Sequence, residues 1–273
     1  MPVIATNTSA NTALIYLNSN SRAQEKSLAK LASGTRIVRA SDDAAGLAVG
    51  TRLKSDITVL KQAAVNTVQA RSVLQTADGA LARVGDILQR MKSLAAQSNS
   101  GSVDPTARGF IDTEFLQLRA EIDAIATATT FNGSTLIDGN FNQNFQVGIA
   151  AGNTIVVNLT TVDANIAAMG IATAAVNTVA NATAASALLD TAINNISTYR
   201  ATVGSLLSRF EYRGDVIDDS VENLTSAKSA IMDVDIAAEQ SNLVSMQVLT
   251  EASIAALAQA NQMKSSLLTL VRQ

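Results

Sequence analysis

The chain has 273 residues, a net charge of −3 and 47% hydrophobic residues, yet only 3% aromatics and no histidine, cysteine or tryptophan. Without histidine or cysteine the commonest general base, the thiol nucleophile, most zinc ligands and any disulfide framework are gone, so neither catalysis nor a cofactor is expected. Acidic and basic residues are interspersed, with no basic stripe to follow a phosphate backbone, which argues against a nucleic-acid partner.

The first helix is predicted to open near Thr6 to Ser9, where Asn7 and Ser9 can accept from unpaired amides. Leu14, Leu17, Leu28 and Leu31 fall on one stripe of it, and Gly34 fits a C-terminal stop. These residues make a first region, 1–40, that closes with a short extended piece, Thr35 to Ala40. Ser41-Asp42-Asp43 then supplies an N-cap with carboxylates at the positive end of the next helix dipole, a stronger reading than a metal-binding pair.

The helix that follows, from Asp42 to Asn99, contains no proline and could reach roughly 87 Å. A compact globule of this chain length would be about 50 Å across, so the protein is expected to be elongated. Leu74, Ala77, Leu81, Val84, Leu88, Met91 and Ala95 step by three and four, the seam of a helix buried against another helix. Leu53, Ile57, Leu60 and Ala64 precede them in a shifted phase, as a local stammer would produce. A third helix is predicted from Asp104-Pro105 to about Ala128, completing a region 41–130.

The period then changes. Phe145, Val147 and Ile149 alternate with polar or small residues, as do Ile155, Val157 and Leu159, while Asn132-Gly133, Asp138-Gly139 and Gly152-Asn153 offer turn chemistry. A small β-hairpin region is therefore assigned to 131–162. The Ala/Thr/Asn-rich stretch 163–187 reads as a connector with at most one short helix. Its uncharged run is mostly alanine, threonine and asparagine, too weakly apolar for a membrane span.

The region 188–233 carries the strongest periodicity of the chain. Leu189, Ile193, Ile196, Arg200, Val203, Leu207, Phe210, Gly214, Ile217, Val221, Leu224, Lys228 and Ile231 step alternately by four and three. Arg200, Gly214 and Lys228 interrupt this seam every fourteenth residue, either as imperfect packing or as register control. Asp233-Val234-Asp235 is a helix junction. In the last region, 234–273, Leu243, Met246, Leu249, Ile254, Leu257, Leu267, Leu268 and Val271 leave alanines on the faces between them. Such a helix is apolar nearly all round, more than the first helix alone could cover.

Several blocks together resemble the bacterial flagellins. Ser33-Gly34-Thr35-Arg36-Ile37 followed by Ser41-Asp42-Asp43-Ala44-Ala45-Gly46 is similar to the family's N-terminal signature, with Gly34, Arg36, Asp42, Asp43 and Gly46 at its fixed positions. The run Leu88 to Gln97, Phe131-Asn132-Gly133, Leu136 to Gly139 and Phe145-Gln146-Val147-Gly148 agree in order. Asp233 to Glu239 and Ala258-Gln259-Ala260-Asn261-Gln262 resemble the C-terminal blocks. The likeness covers about residues 1–160 and 185–273, with only a short connector where many flagellins insert outer domains. Thr35 and Ile236 depart from the usual leucine and tyrosine.

The resemblance implies a mainly α fold: an elongated coiled-coil helical rod with a small β-hairpin region, whose N- and C-terminal helices pair. It implies a structural, non-enzymatic subunit of the extracellular flagellar filament whose terminal helices order on assembly. The subunit interface would then use Leu14, Leu17, Leu28, Leu31, Leu243, Met246, Leu249, Ile254, Leu257, Leu267, Leu268 and Val271. Implied partners are copies of the same chain, hook-associated and cap proteins, an export chaperone and the flagellar export apparatus. Export without a Sec signal fits an N-terminus whose first charged residue is Arg22. Gln89, Arg90, Leu94 and Glu114 correspond to the surface that an innate immune receptor of vertebrates reads in many flagellins, although Met91-Lys92-Ser93 departs from the usual sequence. A hook–filament junction protein is the nearest alternative, but its signature more often has proline after the paired aspartates. A cytoplasmic signalling coiled coil would lack the glycine-rich β segment.

Overall fold

The computed structural model describes the backbone of residues 6–271 and the side chains of residues 6–266. Among the described residues there are five helices: α1 (Thr8–Ser33), α2 (Ala44–Ser98), α3 (Pro105–Ala128), α4 (Val179–Met232) and α5 (Ile236–Val271). Four short strands, β1 (Thr130–Phe131), β2 (Ser134–Thr135), β3 (Asn142–Gln146) and β4 (Thr154–Asn158), lie between α3 and α4. The mainly helical class with a small antiparallel β region is the one expected. Two compact units result, residues 56–222 and residues 1–55 with 223–273.

The unit formed by 56–222 holds the large core. Its α2 seam runs without a slip through Leu60, Ala63, Thr67, Ala70, Leu74, Ala77, Leu81, Val84, Leu88, Met91, Ala95 and Ser98, all buried. Ile57, buried just before them, stands three residues from Leu60, so the three-and-three step through Ile57, Leu60 and Ala63 is the expected stammer, at the very start of the seam. Beyond it Ala63, Thr67 and Ala70 keep the heptad phase. Thr67 is tolerated there because its hydroxyl donates to the Ala63 carbonyl at 2.9 Å, leaving no orphaned polar group.

Helix α4 packs antiparallel to α2 in constant register. From Thr67 to Asn99 on α2 the partners on α4 descend from Gly214 through Arg200, Ile196 and Asp190 to Thr183. Leu189, Ile196, Val203, Phe210 and Ile217, every seventh residue, are buried at the centre of the α4 face. On one side of that line Arg200 donates to Asp78 on α2 at 2.9 Å. On the other, Arg213 donates to the Val147 carbonyl at 3.0 Å. One helix thus serves two neighbours, and the arginine in the seam lies at the solvent edge of the core, ion-paired across to α2.

The β region departs from expectation at the end of β3. Asn132 and Gly133 both have positive φ, 49° and 79°, and close the two-residue hairpin between β1 and β2 as the sequence suggests. By contrast, β3 ends at Gln146, so Val147 and Ile149 lie in the loop 147–153 rather than in a strand. Gly152-Asn153 completes a turn at the end of that loop, where the Asn153 amide donates to the Ala150 carbonyl at 2.9 Å. In the β3–β4 pair Phe145 faces Ile155, and its ring meets Phe210 edge-on at 6.0 Å and 86°.

The stretch expected to be a connector is part of the core. Ala164, Met169, Ile171, Ala174 and Val176 are all buried, and α4 begins at Val179, nine residues before the predicted start at 188. Polar side chains of the neighbouring helices satisfy its irregular backbone, which explains why low complexity does not mean looseness here. Arg119 donates to the Ala174 carbonyl at 2.9 Å, Asp112 accepts from the Val176 amide at 2.7 Å, and Ser98 donates to the Val176 carbonyl. Ala182 and Ala185 continue the buried α4 face, small enough for close approach.

In the other unit, α1 starts at an Asn7 cap whose side chain accepts from the Ala10 amide at 3.0 Å. It stops at Gly34, which has φ 69°. There the chain reverses: the Arg36 amide donates to the Met232 carbonyl at 2.7 Å and the Val234 amide to the Gly34 carbonyl at 3.2 Å. Nothing lies within 4 Å of a side chain added at Gly34, so a substitution meets only backbone strain. Gly34→Val is expected to destabilise this reversal by about 1–3 kcal/mol, read as slower seeded assembly, because a β-branched residue resists positive φ.

Candidate functional site

The two terminal helices, α1 and α5, form an antiparallel pair. Along α1 the residues facing the partner are Ala10, Ala13, Leu17, Asn20, Gln24, Ser27 and Leu31, a heptad of mostly small or polar side chains. The answering stripe on α5 is Glu239, Leu243, Met246, Thr250, Ser253, Leu257, Ala260 and Lys264. Polar pairs pin the register. Asn7 donates to the Ala260 carbonyl at 3.1 Å, Asn20 to the Ser253 hydroxyl at 3.3 Å, and Lys30 lies 3.5 Å from Glu239.

This contact is thin. Only Ala10 and Ser27 of α1, and Glu239, Leu243 and Ala260 among the described side chains of α5, are buried. The rest of each helix shows large apolar groups to solvent. Ile15 is 61% exposed, Tyr16 62%, Val248 59% and Ile254 53%, with Ile236, Val244 and Met263 beside them on α5. Contiguous apolar exposure on this scale marks a surface that something else covers. Among the described residues, α5 is also the one helix long and apolar enough to cross a membrane by length and composition.

The twelve expected interface residues therefore separate into three groups. Leu17, Leu31, Leu243, Met246 and Leu257 lie between α1 and α5 of the same chain. Leu14, Leu28, Leu249 and Ile254 point outward, so Leu14 and Leu28 do not share the covered stripe with Leu17 and Leu31. The side chains of Leu267, Leu268 and Val271 lie outside the described residues. Sequence reading missed the small and polar heptad on α1, because it followed leucines. The spacing of Ala10, Ala13, Asn20 and Ser27 was the available signal.

The signature residues form the turn between α1 and α2. Asp43 caps α2 by accepting from the Gly46 amide at 2.8 Å, and Asp42 accepts from the Arg39 amide at 3.0 Å. That amide holds the Asp42 carboxyl below its ordinary value, so the turn loses this bond only as pH falls through the lowered value. Gly46 is closely approached: a Cβ there would sit 2.8 Å from Ile37 Cδ1 and closer still to the Asp43 carboxylate, so the capping side chain would have to move. Gly46→Ala is expected to open this turn, measured as increased exchange of the Gly46 and Leu47 amides. Arg36 contributes its backbone to the reversal, and its side chain is exposed. Asp235 caps α5 through the Ala237 and Ala238 amides, at 3.0 and 3.1 Å, so one aspartate at each junction, Asp43 and Asp235, acts as a cap, while Asp233 accepts from the Ser229 hydroxyl at 2.6 Å.

Arg90 donates through Nε and Nη2 to one oxygen of Glu114, at 2.9 and 2.7 Å, joining α2 to α3 on an exposed face with Gln89. Leu94 does not belong to that face. It is buried, since it lies one position before the seam residue Ala95 and turns inward with it. Among the described residues no group of three or more acidic side chains could hold a metal.

Comparison with known proteins agrees with this architecture. The family model described as the bacterial flagellin N-terminal helical region matches residues 4–142, and that of the C-terminal helical region matches residues 186–271. The chain is 38% identical to the flagellin of Halalkalibacterium halodurans, covering 91% of this chain and 92% of that protein. It is also 38% identical to the flagellin of Bacillus subtilis, covering 97% and 98%. The crystal structure of Bacillus cereus flagellin is similar at 33% identity and a TM-score of 0.51, over 56% of this chain and 88% of that one.

Proposed function

We propose that this chain, which belongs to the bacterial flagellin family and is a structural subunit of the flagellar filament, polymerises by ordering its terminal helices against neighbouring copies. The observation that carries this mechanism is the imbalance on α1 and α5. Two helices of 26 and 36 residues share a covered stripe built largely of small and polar residues, while many of their large apolar groups face outward. At about 25 cal/mol per Å² such a stripe buries too little to offset the entropy of ordering both helices. Packing against neighbours supplies the missing burial, and head-to-tail contacts that do not close give an open helical polymer.

The outward face of α5 is assigned to neighbouring subunits rather than to lipid. Its mean hydropathy of 1.2 is modest, and Asn242, Gln247 and Gln259 interrupt it. The reading also includes a non-catalytic role, export through the flagellar secretion channel with the help of an export chaperone, and contact with hook-associated proteins and the cap at the filament ends. For the immune-receptor surface, Arg90 and Glu114 are already paired and Met91 and Leu94 are buried, which supports weak or no receptor activation by soluble protein.

Sedimentation after adding filament fragments tests the assembly reading. Purified chain should pellet in proportion to seed and stay soluble without it. Protein that never pellets with seeds of its own filament would overturn it.

A further inference from the structure

Resting on the filament reading above, we infer a second, electrostatic contact between copies: an acidic stripe on α4 of one subunit meets a basic cluster beside α1 of another. Glu211, Asp215, Asp218, Asp219 and Glu222 fall within twelve residues, all exposed, with Arg213 the one cation among them. Their spacings of three and four set like charges next to one another on the helix, an arrangement that disfavours it. Arg213 is turned away to the Val147 carbonyl, and none of the five carboxylates takes part in an ion pair among the described residues. The stripe does not converge into a metal site either. A helix that keeps this repulsion without an internal counterion is matched to an external cationic surface.

The same chain carries one. Between residues 22 and 54 there are seven lysines and arginines against three acidic residues. Arg22, Lys26, Lys30 and Arg39, against the two carboxylates Glu25 and Asp42, line a cavity of about 160 Å³ between α1 and the turn that follows it. Two of these cations are engaged, Lys26 with Asp42 at 3.7 Å and Lys30 with Glu239 at 3.5 Å. Arg22 and Arg39 have no ion pair among the described residues, and guanidinium groups suit carboxylates across an interface. Every subunit presents both patches, so joining the acidic stripe of one copy to the basic cluster of the next is a head-to-tail contact, which propagates as a filament when its rotation does not close. It steers encounter and selects orientation, leaving the apolar faces of α1 and α5 to hold the product.

Charge exchange tests the contact. The paired reversals Asp218→Lys with Asp219→Lys, and Arg22→Glu with Arg39→Glu, are each expected to raise the critical concentration for seeded growth at least about tenfold. Combining all four should recover most of that loss, with helicity by circular dichroism unchanged throughout. Folded single-patch variants that assemble like wild type, or a combination no better than its worse parent, would overturn the inference. For any reversal that fails to fold, Asp218→Asn with Asp219→Asn replaces it, and its elongation rate should lose part of the wild type's decline with added NaCl. An unchanged salt dependence would overturn the contact. Wild-type chain that does not polymerise at all would instead refute the filament reading beneath it.

Discussion

Val248→Asp or Ile254→Asp is expected to abolish filament growth while leaving the melting of residues 56–222 unchanged. Both side chains point away from α1, so an aspartate at either position stays hydrated in the free chain and costs little there. In the polymer the same carboxylate is enclosed by neighbours without a cation, a penalty on the order of 4 kcal/mol, or about a thousandfold in the equilibrium constant for each added subunit. The defect recurs at every contact. Leu257→Asp is a less selective test, because Leu257 is half-covered by α1 and its replacement also weakens the pair within the chain. Sedimentation with seeds reads the first effect, and thermal unfolding of the soluble variant reads the second. Normal filaments from both variants would contradict the assignment of this face.

Phe210→Ala is expected to destabilise residues 56–222 by about 3–5 kcal/mol, the usual range for a buried phenylalanine. Phe210 is fully buried at the centre of the α4 face, and its loss also removes the edge-on contact with Phe145 that joins the β3–β4 pair to α4. The chain has few aromatics elsewhere in this core, so the cavity has little to collapse into it. Against a typical domain stability of roughly 5–15 kcal/mol, such a loss is a large fraction. Tyr212→Ala, two positions along and 73% exposed, should change stability by less than about 0.5 kcal/mol. Urea unfolding followed by circular dichroism separates the two. Equal midpoints would contradict the placement of Phe210.

The helices and their caps were legible because each rests on local chemistry, whereas the pairing of the two chain ends was implied by the family resemblance. Asn7, Asp43, Asp104 and Asp235 cap where short polar side chains precede apolar periodicity, and Gly34 and Gly133 take the positive φ that their positions demand. Failures arose where tertiary contacts outweigh the local signal. Ala63, Thr67 and Ala70 hold the α2 seam through fit with α4 rather than through hydrophobicity. The stretch 163–178 is ordered by donors and acceptors from Ser98, Asp112 and Arg119, none of which adjoins it in sequence. The assembly surface was half legible: its apolar excess is visible in composition, but which leucines face α1 depends on a heptad written mainly in alanine, asparagine, glutamine and serine.

Coupling between order in the terminal helices and assembly is the central claim, and amide hydrogen exchange compared between monomer and filament tests it most directly. Residues 8–33 and 236–266 should exchange within seconds to minutes in a verified monomer, because so little of α1 and α5 is covered, and be protected by orders of magnitude in the filament. Residues 56–222 should be slow in both states, protected by their own core. Strong protection of α1 and α5 in the monomer, equal to that of the α2 and α4 cores, would contradict assembly-coupled ordering.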